Sequence, residues 1–237
     1  MLTTILPRAR RDSITFGCTG PTIQDCHTSS GGYRVPLAFA LSQAPLGAPS
    51  NEGFNVTTMG TATTGPAYAP AQWLKHCGFP GWTIPMIDKF LPQAFASSPA
   101  RPDLITIHLG TNDCNQGHTL SQMVQDMNSL LNHTFAASPH SHVFLADTLA
   151  TGQPWNTCIV AWDAQVPGLV AEWAARGMTI TFVSMYAEAR ACGLSGDDAD
   201  LCGGHQVHPT SAGYPRMASA FALPILKYFN RSVAAQR

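Results

Sequence analysis

The sequence predicts an α/β domain in which a five-stranded parallel sheet is covered by helices on both faces, a three-layer α/β/α sandwich. Three observations lead there. Short apolar runs alternate with longer amphipathic stretches along the chain. The 237 residues suffice for one sizeable core, and α/β domains of this length usually run as one unit, so residues 1–237 are expected to form a single domain. Hydrophobic residues make up 45% of the chain and charged residues only 11%, which removes disorder driven by charge.

The expected strands are residues 2–6, 54–59, 103–109, 142–147 and 178–184, each bounded by Gly, Pro or polar turn residues. Between the third and fourth, Leu120, Met123, Val124, Met127, Leu130, Leu131 and Phe135 recur at helical spacing, with Thr119 or Ser121 placed to cap the first turn. The last element repeats the pattern. Thr210 can cap a helix whose one face carries Tyr214, Met217, Phe221, Ile225 and Phe229, and Pro224 is expected to kink it. These methionine and aromatic stripes are core faces, because helix packing alone demands the spacing. Residues 61–80, rich in Gly, Pro and Thr and without periodicity, read as a long loop of the kind that often carries function.

Thirteen basic against fourteen acidic residues leave a net charge of −1 with no basic run. An electrostatic claim on nucleic acid or an anionic membrane therefore has nothing to rest on. No stretch approaches the ~18–20 apolar residues of a membrane span, and residues 1–11 lack the apolar run of a signal peptide, so a soluble or already processed chain is expected. The seven cysteines form no Cys-x-x-Cys pair, which argues against zinc ribbons and thioredoxin-type sites and for disulfides. Cys18 with Cys26 and Cys192 with Cys202 enclose short Gly-bearing loops that a bridge could staple, and the odd count leaves at least one thiol free. Sequons at Asn55, Asn132 and Asn230 add to the expectation of an extracellular, secreted protein.

In an open parallel sheet, ligands bind beyond the carboxyl ends of the strands. After the first expected strand comes Arg11-Asp12-Ser13-Ile14-Thr15-Phe16-Gly17, a serine in a strand-to-helix connection. After the third comes Gly110-Thr111-Asn112-Asp113, and before the last helix His205-Gln206-Val207-His208-Pro209. A Ser, an Asn and a His from three separated segments are what nucleophile, oxyanion donor and base require of each other. Each alone reads as a turn or cap residue; the constellation gives them weight.

The segments resemble the sequence blocks of the SGNH hydrolases, the GDSL esterase superfamily, and more narrowly the secreted carbohydrate esterases of the acetyl xylan esterase type. The resemblance covers nearly the whole chain and implies a flavodoxin-like fold. It makes Ser13 the nucleophile, in Arg11-Asp12-Ser13, and Gly81 a backbone oxyanion donor, in the segment His76-Cys77-Gly78-Phe79-Pro80-Gly81-Trp82. Asn112 becomes the side-chain oxyanion donor and His208 the base.

Two positions depart from the family pattern. Arg11 stands where the family has the glycine behind the nucleophile, and His205 where it has the aspartate that orients the catalytic histidine. In serine proteases, removing that carboxylate costs about 10⁴-fold in kcat yet leaves a large acceleration. Asp200, in a Gly-rich stretch just upstream with Asp197 and Asp198, is the candidate substitute, and His205 itself is the other.

The resemblance implies hydrolysis of small acyl esters, acetyl above all, on a carbohydrate such as xylan, with no metal or organic cofactor. The partners expected are a small ester or an acetylated polysaccharide, with no nucleic acid and no membrane. The alternatives are a carbohydrate-binding homologue with weakened turnover, which the changes at Arg11 and His205 suggest, and a lipase or thioesterase with a larger acyl pocket. Cys202-x-x-His205-x-x-His208 is short enough for metal ligands but does not match a usual zinc spacing. His140 and His142 read as solvated residues where a strand begins, and Trp155 as a loop-packing residue near the catalytic edge.

Overall fold

Strands β5 (Leu104–His108) and β6 (His142–Ala146) are buried at every position, as central strands must be when both faces of a sheet are covered. The computed structural model describes residues 11–16, 31–44, 54–186, 208–209 and 213–235, with backbone alone for 11–16 and 230–235. Around the two central strands lie β1 (Arg11–Phe16), β2 (Val56–Met59) and β7 (Ile180–Val183), in the order β2-β1-β5-β6-β7 with every neighbouring pair parallel. A second, two-stranded antiparallel ladder joins β3 (Ala62–Thr63) to β4 (Lys75–His76), so the molecule is α/β with sheets of both kinds.

The alternation along β5 and β6 divides the core into two layers. Ile105, Ile107, Val143 and Leu145 pack against α2 (Ile84–Ala96), α4 (Leu120–Ala137), α5 (Asn156–Asp163) and α6 (Val166–Ala175). Leu104, Phe144 and Ala146 face the other way, onto α1 (Arg34–Gln43) and α7 (Gly213–Ala235). The short α3 (Thr111–Asn115) follows β5 directly.

Local signals explain the helix ends. Thr119 accepts the Gln122 N–H at 3.3 Å while the Gln122 side chain accepts the Thr119 N–H at 3.0 Å, a reciprocal cap on α4. Met123, Met127, Leu130, Leu131 and Phe135 of α4 are buried, and so are Tyr214, Met217, Phe221, Ile225 and Phe229 of α7, which runs on through Pro224.

Counted within the main sheet, the order is 2-1-3-4-5: the chain leaves β1 toward one edge and β5 toward the other. The switch point between β1 and β5 is where a doubly wound sheet opens a crevice beyond its carboxyl ends.

Three sequence expectations need correction or placement. Residues 2–6 lie outside the described residues, and the strand found is residues 11–16, expected to be loop. Ile14, Thr15 and Phe16 are β-branched or aromatic, which favours a pleated strand over a turn. The stretch 61–80 is not all loop, since it holds β3, β4 and a 3₁₀ turn at Ala71–Trp73. Thr210, the expected cap of the last helix, also lies outside the described residues.

Candidate active site

The turn after β5 is built around Gly110, whose φ of +127° few side-chain-bearing residues adopt. Against it lies the buried indole of Trp162, whose Nε1–H donates to the Leu109 carbonyl at 3.0 Å. The chain then enters α3, which presents Asn112 and Asp113 side by side, both buried. The Asp113 carboxylate accepts the first N–H of α2, at Ile84, at 3.0 and 3.3 Å, and so supplies the helix cap that Thr83 does not. Burial pushes the Asp113 carboxyl up to about 6, although the Ile84 N–H and nearby His118, 3.3 Å away, favour its charged form.

Asn112 and Gln116 strap down the segment that contains Gly81. Asn112 Nδ2 donates to the Trp82 carbonyl at 2.8 Å, and Gln116 Nε2 to the Gly81 carbonyl at 2.7 Å. Gly81 has a φ of +75°, and a Cβ built on it meets none of the described residues within 4 Å. An amide nitrogen carries two hydrogens. The Trp82 carbonyl takes one and fixes which end of the Asn112 amide is nitrogen; the other remains to donate. The structure thus brings Gly81 and Asn112 together at the carboxyl end of β5. Half-buried Phe79 and Trp82 flank Gly81 with their ring centroids 4.2 Å apart.

Ser13 is placed otherwise than the sequence suggests. It lies within β1, between Thr58 of β2 and Leu104 of β5, not in the connection that follows. Leu104 is the first residue of β5 and His108 the last. The Ser13 backbone is therefore four residues short of the carboxyl edge, about 13 Å at ~3.3 Å per residue. His208 is buried just ahead of α7, followed by buried Pro209. His205, Asp200 and Cys202 lie outside the described residues, and with them the possible third triad members and the metal reading. Among the described residues, no group of three His, Cys, Asp or Glu is arranged to hold a metal.

Other polar groups at this end of the sheet escaped the sequence reading. Asp147, just past β6, accepts the Met185 and Tyr186 N–H groups, and Asp163, ending α5, accepts the N–H and hydroxyl of Thr148, each at 2.8 Å. Burial raises the first to about 6 and the second to about 7. His108 is buried, neither ring nitrogen is hydrogen-bonded among the described residues, and desolvation lowers it to about 4. His142, expected in solvent, is buried: it stacks on Phe144 at 4.2 Å and shares a 2.8 Å hydrogen bond with Thr181. Both faces of β6 are covered, so a side chain at its first position is buried whichever way it points, here against Phe144 and Tyr228. His140 is exposed, and Trp155 packs half-buried against the larger core.

Among the described residues the disulfide is Cys114–Cys158, and Cys77 is a buried free thiol. Cys18, Cys26, Cys192 and Cys202, the expected pairs, lie outside the described residues. Sequence spacing could not suggest a bridge that spans 44 residues.

The family model for the GDSL-like lipase/acylhydrolase family matches residues 12–216, and the chain belongs to that family. Compared by sequence with curated proteins, it matches none. Among solved structures it is similar to a Clostridium thermocellum family 3 carbohydrate esterase (23% identity, TM-score 0.70, covering 92% of this chain and 99% of that one). It is similar also to a family 3 carbohydrate esterase from Talaromyces cellulolyticus (19%, TM-score 0.71, 93% and 99%). A third likeness is to an acetyl esterase, solved as a serine-to-alanine mutant with an acetate ion (19%, TM-score 0.68, 94% and 99%). At these identities the likeness establishes the fold. No helix among the described residues is long and apolar enough to cross a membrane.

Proposed function

We propose that this protein is a serine esterase that removes small acyl groups, acetyl in particular, from a carbohydrate outside the cell. The observation that carries the reading is that the Asn112 turn and the Gly81 segment, with N–H donors on each, are held together at the switch point by the Asn112 bond to the Trp82 carbonyl and the Gln116 bond to the Gly81 carbonyl. Such donors, fixed before substrate arrives, stabilise the charge that develops on an ester carbonyl oxygen. Family membership supports ester chemistry, and the names of the similar structures support a carbohydrate or acetyl substrate. The rings of Phe79 and Trp82 beside Gly81 are suited to a sugar face.

In this mechanism Ser13 Oγ attacks the ester carbonyl and His208 takes its proton. The spare N–H of Asn112 and the backbone N–H groups of Gly81 and Ser13 bind the oxyanion. His208 then protonates the leaving alcohol, and water, activated by the same imidazole, releases the acid from the acyl-enzyme. Asp200, or His205, orients His208. No metal or organic cofactor enters. The mechanism requires position 13 at the carboxyl edge, opposite His108, which is four residues on from the pairing with Leu104.

That pairing favours one other reading, a carbohydrate-binding homologue with weakened turnover. Hydrolysis of nitrophenyl acetate and of longer acyl esters, and acetate release from acetylated xylan, separate the two when Ser13→Ala is the control. The esterase reading expects activity on acetyl esters that Ser13→Ala abolishes. Wild type indistinguishable from that variant would leave the binding reading, and a preference for long acyl chains would point to a lipase or thioesterase.

A further inference from the structure

The turn that carries Asn112 is gripped from two sides. On one side stands the segment Gly81 to Ile84, tied by Asn112, Asp113 and Gln116. On the other stands α5. Its Cys158 is bonded to Cys114, two residues beyond Asn112, and both sulfurs lie 3.9 Å from Met123 Sδ in the core. One helical turn further along α5, Trp162 donates to the Leu109 carbonyl and fills the space where a Cβ on Gly110 would be, 2.2 Å from its Nε1.

Helix α5 is itself fixed at both ends. Asn156 Oδ1 accepts the Thr151 N–H at 2.7 Å, and Asp163 holds Thr148. Helix α3, by contrast, has five residues, too few to keep a helical shape unaided. Its geometry is imposed from outside, and among those constraints the disulfide is the covalent one, two residues from Asn112.

We propose that the Cys114–Cys158 disulfide, together with Trp162, positions the Asn112 side chain as an oxyanion donor, so that ester hydrolysis depends on the oxidised state of this bridge. The proposal rests on the esterase reading for its activity readout. Reduction by a dithiol breaks the S–S bond: two electrons and two protons pass to the cysteines, and the reductant closes to a cyclic disulfide. The freed turn then samples positions in which the amide no longer meets the developing oxyanion.

The test compares oxidised wild type, dithiothreitol-treated wild type and a Cys114→Ser/Cys158→Ser variant on nitrophenyl acetate, each also in an Asn112→Ala background. Loss of the bridge is expected to lower kcat about tenfold or more with KM changed less than about twofold, because small misplacements of a transition-state contact are costly. In the Asn112→Ala background the same loss should be under about twofold, since the residue being positioned is gone. Trp162→Phe should lower kcat in the same direction. Reoxidation should restore wild type and leave the serine variant unchanged. Equal losses in both backgrounds, or no loss in either, overturn the proposal.

Amide hydrogen exchange reads the tie without turnover. Residues 110–116 should exchange faster once the bridge is gone, while β5 and β6 stay protected; unchanged protection of 110–116 also overturns the proposal. If oxidised wild type hydrolyses no ester beyond Ser13→Ala, the esterase reading fails, and hydrogen exchange still decides whether the bridge fixes the turn.

Discussion

Replacing Gly110 with alanine tests the packing of the Asn112 turn directly. Two costs combine. At φ +127° an L residue lies outside even the left-handed helical region, and holding it there costs about 1–3 kcal/mol. The new methyl would also stand 2.2 Å from Trp162 Nε1 and 2.5 Å from its Cδ1. That indole is fully buried and hydrogen-bonded to Leu109, so it has nowhere to retreat, and overpacking of this kind adds about 1–3 kcal/mol. Together they give about 2–6 kcal/mol, and at about 2–4 °C per kcal/mol for a chain of this size the melting temperature should fall by roughly 4–24 °C.

Gly117→Ala supplies the internal reference. Its φ of +77° lies near the left-handed helical region and its Cβ would meet none of the described residues within 4 Å, so only about 1 kcal/mol of backbone strain applies. Thermal unfolding followed by circular dichroism on both variants separates strain from collision. A Gly110→Ala variant no less stable than Gly117→Ala would refute the close packing of the turn on Trp162.

Three further expectations follow from the same region. On the proposed esterase mechanism, Asn112→Ala should lower kcat about 10²–10³-fold with KM little changed, the usual consequence of removing one oxyanion donor, measured as steady-state hydrolysis of nitrophenyl acetate. Asp113→Ala strands the buried Ile84 N–H, which should cost about 1–3 kcal/mol in urea unfolding and leave α2 without its cap. Asp163 supplies a pH test. Its carboxyl is raised from 3.8 to about 7 by burial, so between those values the folded state holds a proton that the unfolded state has released, and its contribution to stability falls as pH rises through that window. Asp163→Asn, which keeps an acceptor for Thr148, should therefore gain stability relative to wild type on going from pH 5 to pH 8. A difference in melting temperature that does not change with pH would mean that Asp163 is ionised throughout.

Periodicity reveals those elements whose burial is decided by their own residues. Strands β5 and β6 and helices α4 and α7 read correctly because each has a continuous apolar pattern that must find a core. The placement of His142 did not, since a histidine on an inward position has the same letter as one in water, and only the rings of Phe144 and Tyr228 around it decide. No local pattern shows that Asn112 and Gln116 bond to Trp82 and Gly81; only the family blocks draw attention to the two segments. The grip of α5 was not legible: nothing local to Cys114 names Cys158, and nothing near Gly110 names Trp162, because those contacts depend on how α5 packs beneath the turn.

The strand that carries Ser13 is where sequence pattern and chemistry pull apart. A period-2 element moved by an even number of residues keeps every side chain on its own face, so the apolar pattern of β1 does not by itself distinguish a pairing with Leu104 from one with His108. The second pairing, four residues on, would bring position 13 beside a buried imidazole whose two nitrogens have no hydrogen-bond partner among the described residues, and to the edge where Asn112 and Gly81 stand. Engineered cysteines report which pairing the working protein uses. Thr15→Cys with Thr106→Cys are opposite in the register found, whereas Arg11→Cys with Thr106→Cys become opposite after the four-residue move. The esterase mechanism requires the Arg11–Thr106 pair to cross-link in protein that hydrolyses acetyl esters, with the new bridge identified by peptide mass mapping. Cross-linking of the Thr15–Thr106 pair with hydrolysis undiminished would remove Ser13 as the nucleophile while leaving Asn112 and Gly81 where they stand.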